Sequence, residues 1–288
     1  MANEFPRHEF SPEDIEAFHA EMKVGLLATV NAEGLPHITL IATLQAASPA
    51  TLVWGQFVEG LSKGFIRRNP KVGWLIMTLD KQLWRGQATF THTAQQGPDY
   101  ERYNSTPMFR YNAYFGVHTV YYMDLEGHTG RHPLPMAPIV VASMETLLAR
   151  AFAGHKAKHE ALNLWTRQLL SKIGALKFLA YVDASGYPVI VPILQAQTPD
   201  SEWVLFALHP FSAELRAIPK GTPTAIFGMS LDMETVLARG TFEGATRVGG
   251  IPCGSVRVDW VYNSMPPTPE QIYPPVPLEA VRSFQDAS

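Results

Sequence analysis

Short apolar runs, broken by Gly, Pro and polar turns, alternate along most of the chain, which predicts a β-rich protein with a few helices. The first element is an exception. Ser11 has the side chain of a helix N-cap, Pro12 suits the first helical position, and Glu13 and Asp14 complement the positive end of the helix dipole. A helix is expected from there to about Met22. VGLLATVNAEGLPHITLIATLQA then reads as two strands about a turn at 31–34, where Gly34 supplies a positive φ. In the second run Ile38, Leu40 and Ala42 alternate with His37, Thr39 and Ile41. TLVWGQF is a third strand, and LSKGFIRRN is a short basic helix ended by Asn69-Pro70. VGWLIMTLD and LWRGQATFTHT are strands about a turn at Asp80-Lys81, residues 94–107 read as loop and broken helix, and VHTVYYMDLEG is a last strand. GHTGRHPLPMAP reads as a loop. From about residue 143 to 173 the period is helical, with an interruption at Gly154.

The same order is then written again. LLATVNAEGLPHITLI and FLAYVDASGYPVIVPI align without a gap at an offset of 152 residues (186 − 34). At that offset Trp54 meets Phe206, Met77 meets Met229 and Asp80 meets Asp232. Arg85-Gly86 meets Arg239-Gly240 after a two-residue insertion, and VHTVYYM resembles VRVDWVY. Two copies of one small β-barrel are therefore expected, packed as an internal pseudo-dimer. The expected organisation is an N-terminal barrel domain with its leading helix (1–142), a helical connector (143–174), and a C-terminal barrel with a Pro-rich tail (175–288).

Composition narrows the function. The 288 residues suit about two domains, and 46% apolar against 17% charged residues excludes a disordered chain. Lys plus Arg is 23 and Asp plus Glu is 26, giving a net charge of −3, so no nucleic-acid partner is expected. A local basic pocket for a phosphorylated ligand remains compatible with that balance. The single cysteine, Cys253, excludes an intramolecular disulfide framework and a Cys-based zinc or iron–sulfur site. It fits a reducing, cytoplasmic location. No membrane-length apolar run and no basic-then-apolar leader are seen, so neither a membrane partner nor secretion is expected.

The ordered set resembles the pyridoxamine 5′-phosphate oxidase-like family of FMN-binding split barrels. The residues that carry it are GLPHITLI (34–41), LVWGQF (52–57), LSKGFIRRNPKVGWLIM (61–77) and LWRG (83–86). It covers about 22–125, with a weaker copy over about 175–265. The resemblance implies a mainly β, α+β protein: two tandem split barrels joined by a helical connector. It implies FMN at a dimer interface, its phosphate held by the second strand, the end of the third strand and the basic helix. Carried onto this chain, the cofactor-binding residues are Thr39, Trp54, Gly55, Gln56, Ser62, Lys63, Arg67 and Trp84. The physical logic is independent of the family: a phosphate needs a helix N-terminus, hydroxyls and a cation close together. Gly60 lets the backbone approach closely. One departure is that the family carries a Lys eight residues before the helix-ending Pro. Here that position is Ser62, and Lys63 comes one place later. The second copy, FSAELRAIPKGTP (211–223), lacks the Lys-Asn-Pro pattern and puts Glu214 where a phosphate would be repelled, leaving Ser212 and Arg216. The first copy is thus expected to bind the phosphate and the second to add a wall, from Trp260, Tyr262 and Asn263. Arg110, Tyr111 and Asn112 are further candidates.

The resemblance implies an FMN-dependent oxidoreductase or flavin reductase, working with a small redox substrate or a nicotinamide donor; a homodimer is compatible with it. Pyridoxine phosphate oxidase itself is not expected, being a single-barrel subunit. The alternatives are a non-catalytic flavin-binding or sensing protein, a deazaflavin-binding barrel, a haem-binding barrel with His37, His118 or His209 as axial ligand, and an empty scaffold. No Ser-His-Asp order, carboxylate pair or Gly-rich nucleotide loop stands out, so the chemistry would be the cofactor's. His155 and His159 are spaced i, i+4 but lack a Glu and a third ligand, so a packed helix face is expected and no metal site. His128 and His132 are expected to be solvated, and Cys253 to be no nucleophile. Trp54 and Trp84 read as core or barrel-rim residues before flavin neighbours. The tail MPPTPEQIYPPVP is expected to lie across the barrel as a strap.

Overall fold

A computed structural model describes residues 5–57, 60–106, 116–154, 157–232, 234–263 and 270–275. Arg110, Tyr111, Asn112, His155 and most of the Pro-rich tail lie outside them. The chain forms two compact units. Unit 1 comprises 1–34, 39–134 and 183–189; unit 2 comprises 35–38, 135–182 and 190–288.

The first half of the chain runs α1 (Pro12–Phe18), β1 (Lys23–Val30), β2 (Pro36–Leu40), β3 (Gln45–Ser48), β4 (Thr51–Gln56), α2 (Leu61–Arg68), β5 (Lys71–Thr78), β6 (Gln82–Ala94), α3 (Pro98–Ser105), β7 (Thr119–His128) and β8 (His132–Pro133). The sheet order is β2-β1-β5-β6-β7-β4-β3, with β8 on β6. The second half runs α4 (Met136–Phe152), α5 (Leu164–Ser171), β9 (Leu176–Val182), β10 (Pro188–Pro192), β11 (Trp203–Ala207), α6 (Ser212–Ala217), β12 (Pro223–Met229), β13 (Thr235–Val248), β14 (Ile251–Asn263) and β15 (Glu270–Tyr273). Its sheet order is β10-β9-β12-β13-β14-β11, with β15 on β14. The fold is thus mainly β with a few helices, in two sheets laid out in one order. No helix among the described residues is long and apolar enough to cross a membrane.

Contacts recur at the 152-residue offset. The amide of Ile41 donates to the Gly25 carbonyl, and that of Ile193 to the Lys177 carbonyl. Gly34 closes its turn on the Asn31 carbonyl, and Gly186 closes its own on Asp183. Both turn glycines have the positive φ that only glycine adopts cheaply, +79° and +83°. The Arg-Gly pairs recur as well: a Cβ at Gly86 would stand 2.3 Å from the Gly127 carbonyl oxygen, and one at Gly240 2.0 Å from that of Arg257.

The Ser11 cap forms as the sequence predicts, with Ser11 and Asp14 exchanging side chain-to-backbone bonds in a capping box. The helix, however, stops at Phe18 and not near Met22. Phe18 is fully buried, edge-on to Trp74 and Trp84, and His19 bonds the Ala46 carbonyl, so the chain is pinned before it enters β1. The tract read as a loop before residue 143 holds β8 and the start of α4. Pro138 lies in the first turn of α4, where a missing N–H breaks no helical bond. Helix α4 ends two residues before Gly154, and the helical period resumes only at α5. β3 is a short edge strand that the hydrophobic pattern does not reveal.

Candidate functional site

In unit 1 the corner between β4 and α2 collects most of the predicted residues. Helix α2 starts from an extended Gly60, has no side-chain cap and carries no acidic residue in its first turn. Its early amides therefore point out with a positive field. Ser62 is only 1% exposed and Lys63 8%, although both open a basic helix. The Ser62 Oγ is buried with no hydrogen-bond partner among the described residues. The Lys63 ammonium lies 6.0 Å from the centre of the Trp54 ring, and a Cβ at Gly60 would sit 3.4 Å from it. A side chain at residue 60 would thus come into contact with the cation.

β4 supplies Trp54, Gly55 and Gln56. Trp54 is opposite Tyr121 in the β4–β7 register, and the two rings stack 4.0 Å apart at 9°. The Tyr121 hydroxyl donates to Gln56 Oε1 (2.9 Å) and accepts from Arg67 Nη2 (3.2 Å). Arg67 and Arg68 are both exposed at the end of α2, and Arg67 is anchored there by Tyr121. The Trp54 indole N–H is buried without a hydrogen-bond partner among the described residues. Gly55 is held through both backbone groups by Thr43 Oγ1, at 2.8 and 3.1 Å. A Cβ there would meet the Val117 side chain at 2.7 Å. Lys63, Trp54, Gln56 and Arg67 therefore join into one cluster through Tyr121, with Ser62 beside them on α2.

The other predicted residues lie apart. Thr39 is on β2, next to β1 in the sheet, and α2 packs on β1. Its hydroxyl is buried, and among the described residues it has no hydrogen-bond partner and no contact that links it to the cluster. Trp84 belongs to the core under α1. Its indole N–H donates to Asp14 Oδ1 at 2.8 Å, Phe18 packs on it edge-on, and the Arg131 guanidinium lies 5.7 Å from its ring centre. Sequence reasoning missed Tyr121 and Thr43. Tyr121 acts through a cross-strand neighbour far away in the chain, and Thr43 reaches β4 from the turn between β2 and β3; neither leaves a local signal.

In unit 2 the matching corner is built differently. Gln195, at the offset from Thr43, donates to the Ala207 carbonyl at 2.7 Å, and Ala207 stands where Gly55 stands. Phe206 replaces Trp54 and packs 6.4 Å from Phe242. Helix α6 is six residues long with Glu214 in its first turn, and Arg216 is exposed. Trp260 and Tyr262 stack 5.4 Å apart at 11°, with the Arg239 guanidinium 3.7 Å from the Trp260 ring centre. The Trp260 N–H donates to Gln271 Oε1 on β15 at 2.8 Å. His37 is buried 5.8 Å from Tyr262; burial and the Arg239 charge pull its pKa down to about 3. His118 and His209 are exposed, and His118 bonds the Thr119 hydroxyl.

One histidine reverses its expectation. His128 is fully buried, not solvated: its Nε2 donates to the Glu9 carbonyl (2.9 Å) and its Nδ1 accepts from the Gly130 amide (3.1 Å). Burial lowers its pKa. β7 carries it inward as an extension of its strand, which a Gly-rich flank had disguised. His132 is exposed. Cys253 is buried, and its thiol is pushed up to about 11 by burial and the Glu145 charge, so it is a poor nucleophile at neutral pH.

No family model and no curated protein matches the sequence. Among solved structures, the chain is similar in fold to an FMN-binding protein from Syntrophomonas wolfei subsp. wolfei (15% identity, TM-score 0.36), over 42% of this chain and 84% of that one. It is similar to a pyridoxamine 5′-phosphate oxidase-type protein from Lactobacillus delbrueckii (18%, TM-score 0.34; 43% and 95%) and to HupZ of Group A Streptococcus (19%, TM-score 0.34; 41% and 91%). Each of these matches spans about two fifths of the chain.

Proposed function

We propose that the β4–α2 corner of unit 1 binds the phosphate of FMN, and that the protein is a flavin-dependent oxidoreductase serving a small redox substrate or a nicotinamide donor. The observation that carries this reading is the pair Ser62 and Lys63. A hydroxyl and an ammonium are both buried at an uncapped helix start, the hydroxyl without a partner. A buried hydroxyl left unsatisfied costs about 1–3 kcal/mol, and a phosphate oxygen would satisfy it. The residues present therefore fit a phosphate. When bound, FMN supplies the electron-accepting and electron-donating chemistry. Ser62 and Lys63 hold the phosphate with the first amides of α2, Arg67 adds positive charge, and Trp54 with Tyr121 forms an aromatic wall beside it.

The test is a visible spectrum of the purified full chain, mass spectrometry of any released chromophore, and titration with FMN. Yellow protein releasing FMN, and bleaching of that colour by a nicotinamide donor under anaerobic conditions, is the expected result. A colourless protein that does not bind added FMN overturns the proposal. FMN that binds but is reduced by no donor overturns the oxidoreductase part alone.

A further inference from the structure

Helix α4 carries an outward face with no polar side chain. Its inner positions, Ile139, Ala142, Thr146 and Ala149, are buried, and Thr146 Oγ1 accepts the Ala207 amide of β11 at 2.9 Å. The outer positions are exposed: Ala137, Val140, Met144, Leu147 and Ala151 follow a 3-4-3-4 spacing, the seam by which one helix packs on another. Val141 and Leu148 flank the seam on one side. Met144, Leu148 and Phe152 are 61%, 60% and 67% exposed. The only charged side chains of the helix, Glu145 and Arg150, lie off this face, and Arg150 is engaged with Gln197 at 3.2 Å. The ring of Phe152 extends the face onto the β13–β14 turn, where a Cβ at Gly249 would stand 2.7 Å from it.

We propose that this face is where a second copy of the chain docks, with the two α4 helices antiparallel across a two-fold axis at Met144. The argument is self-complementarity. From Ala137 to Ala151, positions equidistant from Met144 match in exposure and add up to even layers. Ala137 would face Ala151 of the other copy, Val140 would face Leu148, and Val141 would face Leu147. Met136 would meet Phe152, a favourable sulfur–aromatic pairing. The small residues at both ends let the helix ends approach, and no charge is desolvated. A two-fold contact uses one patch twice, which this symmetry allows. The patch is on the order of 500 Å² per chain, among the larger apolar patches a folded chain exposes, and on the order of 1,000 Å² across the pair, the size at which a specific interface begins. An exposed stripe of Val, Met, Leu and Phe on one helix is otherwise an aggregation liability.

The test is sedimentation equilibrium of the full chain, with circular dichroism to follow folding. The wild type should be a dimer at micromolar concentration. Met144→Arg places two cations on the two-fold axis and should weaken dimerisation at least about 100-fold while the fold persists. Val141→Glu and Leu147→Lys should each weaken it. Both in one chain should restore it, because 141 and 147 face each other only in the antiparallel arrangement. A monomeric wild type overturns the proposal, including one that dimerises only after residues 276–288 are deleted, or one that partitions onto neutral lipid vesicles as a monomer. A dimer unaffected by Met144→Arg also overturns it, and a folded double variant that stays monomeric overturns the antiparallel register.

Discussion

The corner after β4 in unit 1 and the corner after β11 in unit 2 share a frame and differ in charge. In both, a polar side chain 12 residues upstream grips the strand end: Thr43 on Gly55, Gln195 on Ala207. In both, a buried aromatic precedes that strand end, Trp54 or Phe206. Yet α2 opens with a buried Ser-Lys pair, and the shorter α6 opens with a carboxylate. A helix start that attracts an anion becomes one that repels it through a handful of side chains, while the strands beneath keep their hydrogen bonds. Scaffold and ligand chemistry are thus separable here.

The comparison can be broken first where the two units agree. Gly86→Ala and Gly240→Ala would each drive a Cβ into a carbonyl oxygen that belongs to the neighbouring strand. Each should lower stability by about 2–4 kcal/mol in urea unfolding. If one of them is tolerated, the two Arg-Gly positions are not equivalent.

Next comes a position where the units differ. Gly25 in β1 becomes Lys177 in β9, whose ammonium is buried and donates to the carbonyls of Lys172 and Ala196. Burial lowers its pKa from 10.5 to about 8. Between those two values the unfolded chain holds the extra proton, so stability should rise with pH across that window, by up to about 3 kcal/mol. Below the folded pKa the burial penalty is present in full. Lys177→Met should remove this share of the rise and leave that of Lys23, whose burial likewise lowers its pKa to about 8; a wild-type curve no steeper than the variant's would show that the Lys177 ammonium is not desolvated.

The phosphate corner follows. Ser62→Ala with Lys63→Ala should weaken FMN binding about tenfold to a hundredfold by fluorescence titration, and Arg216→Ala less than about threefold, as for an exposed charge. An equal effect of Arg216→Ala would move the site to unit 2. Smallest in its effect on FMN is Trp84→Phe, which removes the bond to the buried Asp14 carboxylate and should cost about 2–3 kcal/mol of stability. FMN affinity should be unchanged, and a clear loss would extend the site to Trp84.

Legibility followed the range of the interactions. The Ser11 cap, the Asn69-Pro70 stop and the turns at Gly34 and Gly186 are set by residues within one turn of one another, and the sequence shows them. The start of α4 was hidden because prolines read as loop, though Pro138 costs nothing in a first helical turn. His128 looked solvated because its Gly-rich flank masks a strand that continues inward. In the candidate site, the Ser-Lys start of α2 could be read directly. Tyr121, which joins Trp54, Gln56 and Arg67, could not, because its place depends on the β4–β7 register. Trp84 had the right residue type in the right strand, but the contact that decides its role, Asp14, comes from a helix 70 positions away.

The stack of Trp54 on Tyr121 has an optical consequence. An indole sealed from water, with its N–H unbonded, emits at the blue end of the tryptophan range, and a phenol in van der Waals contact hands its excitation to it. Trp74 is buried with an unbonded indole N–H as well, so the part of that emission lost in Trp54→Phe is the part that reports on the cluster of Lys63 and Arg67. The protein therefore carries its own lamp at this corner, and any electron-accepting ring that settles beside it should dim the light without a label being attached.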